Sequence, residues 1–175
     1  MKFILMHTSD DSQSIYIHEI MSKNVVKIGY KTSALEISKT MVKQRISSVV
    51  IIDNHNKIIG IVTEKDLIKE ICAKNLLANT LTADKVMSSP LISISKKSTI
   101  NDATKLMVEK RIKHLAIHEN NDIIGILTTY DLIKVLRNKI KAMDLDSNLL
   151  DAISMADIPL EEGGFSLPLS EDELK

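Results

Sequence analysis

Along the chain, short aliphatic or β-branched runs alternate with segments in which apolar residues recur every third or fourth position, the period of a helix with one buried face. Val25-Val26-Lys27-Ile28 reads as a brief strand. Ser33-Ala34-Leu35-Glu36 then starts a helix, because the serine hydroxyl and the glutamate three positions on can satisfy free N–H groups of a first turn. Ala34, Ile37 and Met41 draw one apolar stripe along it. Val49-Val50-Ile51-Ile52 and residues 58–62 follow as strands, and the Asp and Asn residues at 53–56 are types that close a hairpin. A second helix is expected from Thr63, running through Asp66, Leu67 and Ile68.

The pattern then begins again. Residues 21–71 superimpose on 87–136 at an offset of 66, falling to 65 after one deletion, with roughly 20 of about 50 paired positions identical. Met21-Ser22 falls on Met87-Ser88, and Arg45-Ile46 on Arg111-Ile112. In the second copy Leu91-Ile92-Ser93-Ile94 is the first strand, and Thr99-Ile100-Asn101-Asp102 starts a helix with its stripe at Ile100, Ala103 and Met107. Leu115-Ala116-Ile117 and residues 123–127 flank a hairpin loop at 119–121, and the last helix starts at Thr128. Each copy is therefore an α/β unit of strand, helix, strand, strand, helix. One such unit is too small to bury both faces of its sheet, so two copies packed sheet to sheet as a pseudo-two-fold pair should close the core.

Composition narrows the function classes. The 175 residues are 44% hydrophobic, enough for one sizeable core, and 23 basic residues balance 23 acidic ones. That balance lacks the broad positive potential of a general nucleic-acid or anionic-membrane binder. With 3% aromatic residues and no Trp there is no base-stacking platform. A single Cys72 excludes an internal disulfide and fits a reducing compartment, Phe3 to Met6 is too short for a signal-peptide core, and no run has the length of a membrane span, so a cytoplasmic protein is expected. Five histidines without zinc-ligand spacing predict no metal site. The string from Asp144 lacks the glycine and closing acid of a calcium loop. No phosphate-cradling glycine loop, nucleophile elbow or cysteine–histidine pairing marks a catalytic residue, so an enzyme is not expected.

The closest block of the repeat is Ile58-Ile59-Gly60-Ile61-Val62-Thr63-Glu64-Lys65-Asp66-Leu67, which recurs at 123–132 as apolar-x-Gly-apolar-apolar-Thr-x-x-Asp-apolar. Twice in register and each time behind the same hairpin and helix, it resembles the cystathionine β-synthase (CBS) domain in the tandem pair known as a Bateman module. The resemblance lays out the chain as an extension at 1–16, CBS domains at 17–75 and 81–138, and a C-terminal helix and acidic tail at 139–175. It implies a central cleft for an adenosine-containing ligand, AMP, ADP or ATP before S-adenosylmethionine, with Asp66 and Asp131 on ribose hydroxyls and Thr63 and Thr128 near phosphate. It also implies adenine beside Ile28 and Ile94, and a homodimer that reports its bound state to a regulated partner. An acceptor-only carboxylate does suit a vicinal diol, and free N–H groups at a helix start favour an anion. Yet Thr-x-x-Asp is also a capping box that starts a helix with no ligand, contributing about 1 kcal/mol.

The copies differ where phosphate needs positive charge. Lys113-His114 precedes the second strand of copy two, a cationic donor beside a side chain that titrates near neutrality, while copy one has Ser47-Ser48 there. The family's usual proline in that strand is replaced by Val50 and Ala116, and its closing acid is Asp53 in one copy and Glu119 in the other. Charge is also split along the chain: residues 144–175 carry nine acids and one lysine, leaving 22 basic and 14 acidic residues in 1–143. The tail, behind an apolar helical face at Leu145, Leu149, Leu150 and Ile153, reads as a packing helix with a solvated end or as a clasp for a dimer or partner. Two other functions fit the sequence: a scaffold whose clefts stay empty, and nucleic-acid binding through the basic body.

Overall fold

The computed structural model describes residues 15–120 and 122–142. Most of the N-terminal extension, Asn121 of the second hairpin, the calcium-loop-like string and the acidic tail with its apolar face lie outside the described residues.

Each copy forms one three-stranded sheet. In copy one, β1 (Lys27–Gly29), α1 (Ala34–Gln44), β2 (Ser48–Ile52), β3 (Ile58–Thr63) and α2 (Glu64–Glu70) follow in order, and in copy two β4 (Ser93–Ser95), α4 (Ile100–Lys110), β5 (His114–Glu119), β6 (Asp122–Thr128) and α5 (Thr129–Ala142) do the same. A short α3 (Ala83–Val86) sits between them. The sheets have the order β1-β2-β3 and β4-β5-β6, with the first pair of each parallel and the second antiparallel. A parallel β1–β2 pair requires a crossover, and the helix with the serine or threonine start supplies it in each copy. Ser33 and Thr99 accept the N–H of Glu36 and Asp102, as their sequence pattern requires, and both helices end on a left-handed arginine, Arg45 and Arg111. The hairpins close on Asn56 and Asn120, both at positive φ, and Asp53 tightens the first by accepting the N–H groups of His55 and Lys57 at 2.8 and 2.9 Å.

Burial follows strand alternation. Val49 and Ile51 face α1 and join Ala34, Ile37 and Met41 in one core, while Leu115 and Ile117 join Ala103 and Met107 in its counterpart. Val50, Ala116 and Ile126 point the other way and form a third cluster that packs sheet against sheet. The positions that replace the family's proline are thus the contact between the halves.

The segments leading into the copies exchange places. Residues 81–87 precede copy two in sequence but complete the copy-one core, where Ala83 and Val86 are buried. Residues 17–21 precede copy one but complete the copy-two core, where Ile17 is fully buried. Ser88 exchanges two backbone hydrogen bonds with Ile61 of β3 (2.8 and 3.1 Å), and Ser22 exchanges two with Ile126 of β6 (both 2.9 Å). These crossings explain the motif glycines. A Cβ on Gly60 would lie 2.7 Å from Met87 Sδ and 2.8 Å from the Ser88 carbonyl oxygen, and one on Gly125 would lie 2.6 Å from Met21 Sδ and 2.9 Å from the Ser22 carbonyl oxygen. The repeated Met-Ser and the repeated Gly are two sides of one contact.

Candidate functional site

The Thr-x-x-Asp strings turn each last strand into its helix. Thr63 caps α2: its hydroxyl accepts the Asp66 N–H, while Asp66 Oδ2 accepts the Thr63 N–H at 2.8 Å and the Thr63 hydroxyl at 2.6 Å. At α5 the same box is built from Thr128 and Asp131, with Oδ2 accepting the Thr128 N–H and hydroxyl, both at 2.7 Å. The capping function is therefore present in full. It consumes one oxygen of each carboxylate and leaves the other, Oδ1, to face elsewhere.

Ser47-Ser48 and Lys113-His114 precede and begin β2 and β5, the middle strands, so they lie beside these helix starts. Ser48 is the register partner of Thr63 and His114 of Thr128. The Ser47 carbonyl accepts the Glu64 N–H at 3.2 Å and the Lys113 carbonyl accepts the Thr129 N–H at 3.1 Å, which ties each pair to the first turn of its own helix. Ser47 Oγ and His114 Nε2 share a hydrogen bond of 2.7 Å across the pseudo-two-fold axis. Burial pushes the His114 imidazole below its ordinary value; Asp66 and Asp131 pull it upward, and the neighbouring Lys113 adds to the lowering. The register pairs set these strands beside Thr63 and Thr128 and the Ser47–His114 bond joins the two helix starts, so Thr63, Asp66, Thr128, Asp131, Ser47 and His114 gather where the two copies meet. Lys113 stands at the rim of this group with an exposed side chain.

Ile28 and Ile94 do not join this group through their side chains, which pack into the two helix-side cores. Their strands, β1 and β4, are the outer strands of the sheets. Beside β4 the opposite face is polar: His118 Nδ1 lies 3.2 Å from Ser93 Oγ. The matching positions of copy one are Ile52 and Lys27.

Sequence reading missed Ser88. Its hydroxyl donates to Asp66 Oδ1 at 2.7 Å, so this carboxylate is engaged on both oxygens. Ser22, the matching residue of copy one, makes no such bond to Asp131 among the described residues. The repeated Met-Ser pair was the only trace of Ser88 in the sequence, and nothing in it says that the serine reaches the other copy's aspartate. Among the described residues there is no group of three or more His, Cys, Asp or Glu side chains able to hold a metal ion, and no helix long and apolar enough to cross a membrane.

Comparison with known proteins places this geometry. The family model described as CBS domain matches residues 17–73 and 83–138. An uncharacterized protein of Methanopyrus kandleri is 33% identical over 124 residues, 70% of this chain and 63% of that protein, so the chain spans under two thirds of that relative's length. An uncharacterized conserved protein of Pyrococcus horikoshii, known from its crystal structure, superimposes with a TM-score of 0.68 at 27% identity, over 71% of this chain and 93% of that one. The CBS domain pair of protein MJ0100, crystallised in complex with 5′-methylthioadenosine and S-adenosyl-L-methionine, has the same fold (TM-score 0.64, 23% identity, 72% of this chain and 98% of that one).

Proposed function

The chain belongs to the family of CBS-domain proteins, carrying the domain twice, and we propose that it is a regulatory module that binds an adenosine-containing ligand between its two halves and passes the bound state to a partner protein. The observation that carries this reading is the convergence, on one pseudo-two-fold axis, of two Thr-x-x-Asp helix starts with the Ser47–His114 bond. Capping alone does not call for that convergence, since a capping box serves its own helix wherever the helix points.

In this reading an Asp Oδ1 accepts the ribose hydroxyls, while Thr128, Lys113 and His114 take phosphate or its replacement beside α5. The backbone of β1 or β4 meets the base, because the Ile28 and Ile94 side chains are committed to the cores. Lys113 gives copy two positive charge that Ser47 and Ser48 cannot supply, which favours AMP, ADP or ATP over S-adenosylmethionine. The ligand complex of MJ0100 supports the adenosine part of the reading and keeps S-adenosylmethionine in the test. Signalling follows from differential affinity: a ligand touching both halves favours whichever arrangement of them it fits better, and a partner or second copy reads that arrangement. No catalytic step is required of the module itself.

The test is a thermal-shift panel with AMP, ADP, ATP and S-adenosylmethionine on the wild type and on Asp131→Ala. A ligand that binds only the folded state at a hundredfold excess over its Kd stabilises by about 2.7 kcal/mol. We expect such a shift from at least one nucleotide and its loss in Asp131→Ala. No shift from any of the four would return the module to a scaffold whose Thr-x-x-Asp strings serve only as caps.

A further inference from the structure

Both copies carry the same carboxylate in the same capping box, yet the two carboxylates are not equally able to take a ligand. Asp66 receives three hydrogen bonds from within the chain, from the Thr63 N–H, the Thr63 hydroxyl and the Ser88 hydroxyl, and the last occupies Oδ1. Asp131 receives only the first two, both on Oδ2, and its Oδ1 accepts no hydrogen bond among the described residues. Ser88 is exposed, but the segment that carries it is fixed. Its backbone is fixed to Ile61 by two hydrogen bonds, and the next residue, Ser89, donates its hydroxyl to the Ile59 carbonyl at 2.8 Å. The crossing strand at copy one is thus tied down at two successive residues. At copy two the crossing strand has, among the described residues, the Ser22–Ile126 pair without a second tie at the next position, where Lys23 takes the place of Ser89.

We infer that Ser88 acts as a built-in substitute for a ribose hydroxyl at Asp66, so that the module takes the diol of its ligand at Asp131 and binds one equivalent per chain in spite of its duplicated motif. This rests on the adenosine reading proposed above and goes beyond it by naming which half serves and which residue decides. A diol arriving at Asp131 gains hydrogen bonds to an oxygen otherwise served by exchangeable water. At Asp66 it must first displace a donor that is covalently part of the protein, and a hydrogen bond to a charged group corresponds to roughly tenfold to a hundredfold in affinity. One further difference acts in the same direction: α5 has 14 residues against seven in α2, giving its start the fuller helix dipole.

Isothermal titration with AMP and with S-adenosylmethionine tests this on the wild type, Ser88→Ala, Ser22→Ala and Asp131→Asn. The expected result is about one equivalent for the wild type and Ser22→Ala, a second equivalent in Ser88→Ala with affinity within about tenfold of the first, and no binding in Asp131→Asn. Two equivalents in the wild type, or one equivalent retained by Asp131→Asn, would overturn the assignment while leaving the adenosine reading intact. No heat from either ligand with both the wild type and Ser88→Ala would instead remove the adenosine reading, and this assignment with it. Should Ser88→Ala not fold, Ser88→Cys carries the same test, because a thiol is a weak donor that keeps the side-chain shape.

Discussion

Copy one and copy two set the same backbone around different chemistry. Val49, Ile51 and Val62 of the first are matched in the second by Leu115, Ile117 and Leu127, and all six are buried at 0–1% exposure. Around the axis, by contrast, Ser47-Ser48 faces Lys113-His114, a seven-residue α2 faces a fourteen-residue α5, and Asp66 holds Ser88 where Asp131 holds no matching serine among the described residues. The difference teaches where duplication leaves room for change. A core position is constrained by close packing on every side, whereas a half-exposed residue beside the axis changes charge at little cost to folding. Likeness between the copies therefore marks the frame, and unlikeness marks the chemistry that the two copies do not share.

The frame part of the comparison is broken most forcefully in the core. Ile51→Ala and Ile117→Ala are expected to lose about 2–5 kcal/mol each, measured by urea unfolding, and to agree within a factor of two. A variant that costs its copy far less than its partner would show that one half is held by something the other lacks. Next come the crossings. Gly60→Ala and Gly125→Ala each press a methyl group onto a sulfur and a backbone carbonyl oxygen, and about 1–3 kcal/mol is expected from each. A loss confined to one of them would show that only one exchanged segment is firmly seated.

The smallest effect isolates the chemistry that the copies do not share. Burial lowers the His114 pKa from its ordinary 6.5, so the unfolded chain takes up a proton on acidification before the folded one does. The unfolded state then binds more protons, and stability falls as pH drops below about 6.5, with no loss from this group above it. His114→Gln should flatten the unfolding free energy between about pH 7 and 5. An unchanged slope would mean that the imidazole is not held away from water by its place beside Ser47.

Much of this was legible in the residues. The stripes Ala34, Ile37, Met41 and Ala103, Met107 are buried where the helical period put them, although Ile100, counted with the second stripe, is only partly so. Thr63 and Thr128 begin their helices because a hydroxyl followed by an acid three residues on is a local instruction that needs no tertiary context. β1 and β4 are shorter and begin two residues later than Val25 and Leu91, because Val25 and Leu91 are spent on the contact between the sheets. The meeting of Ser47 with His114, 67 positions apart, was not legible: each is unremarkable beside its own neighbours, and only the axis brings them to 2.7 Å.

What the sequence determined by itself is everything that repeats at short range: the order of elements, the caps, the turn residues, the buried faces and the fact of duplication. Tertiary structure alone decided which segment completes which copy, why Gly60 and Gly125 cannot carry a side chain, and that Ser88 closes on Asp66 while Ser22 makes no such bond to Asp131 among the described residues. The reason is range. Periodicity and capping act over three or four residues and are written in the chain's local order, whereas the exchange of segments and the settling of hydrogen bonds at the axis join residues 20 to more than 100 positions apart and exist only once the two sheets have packed.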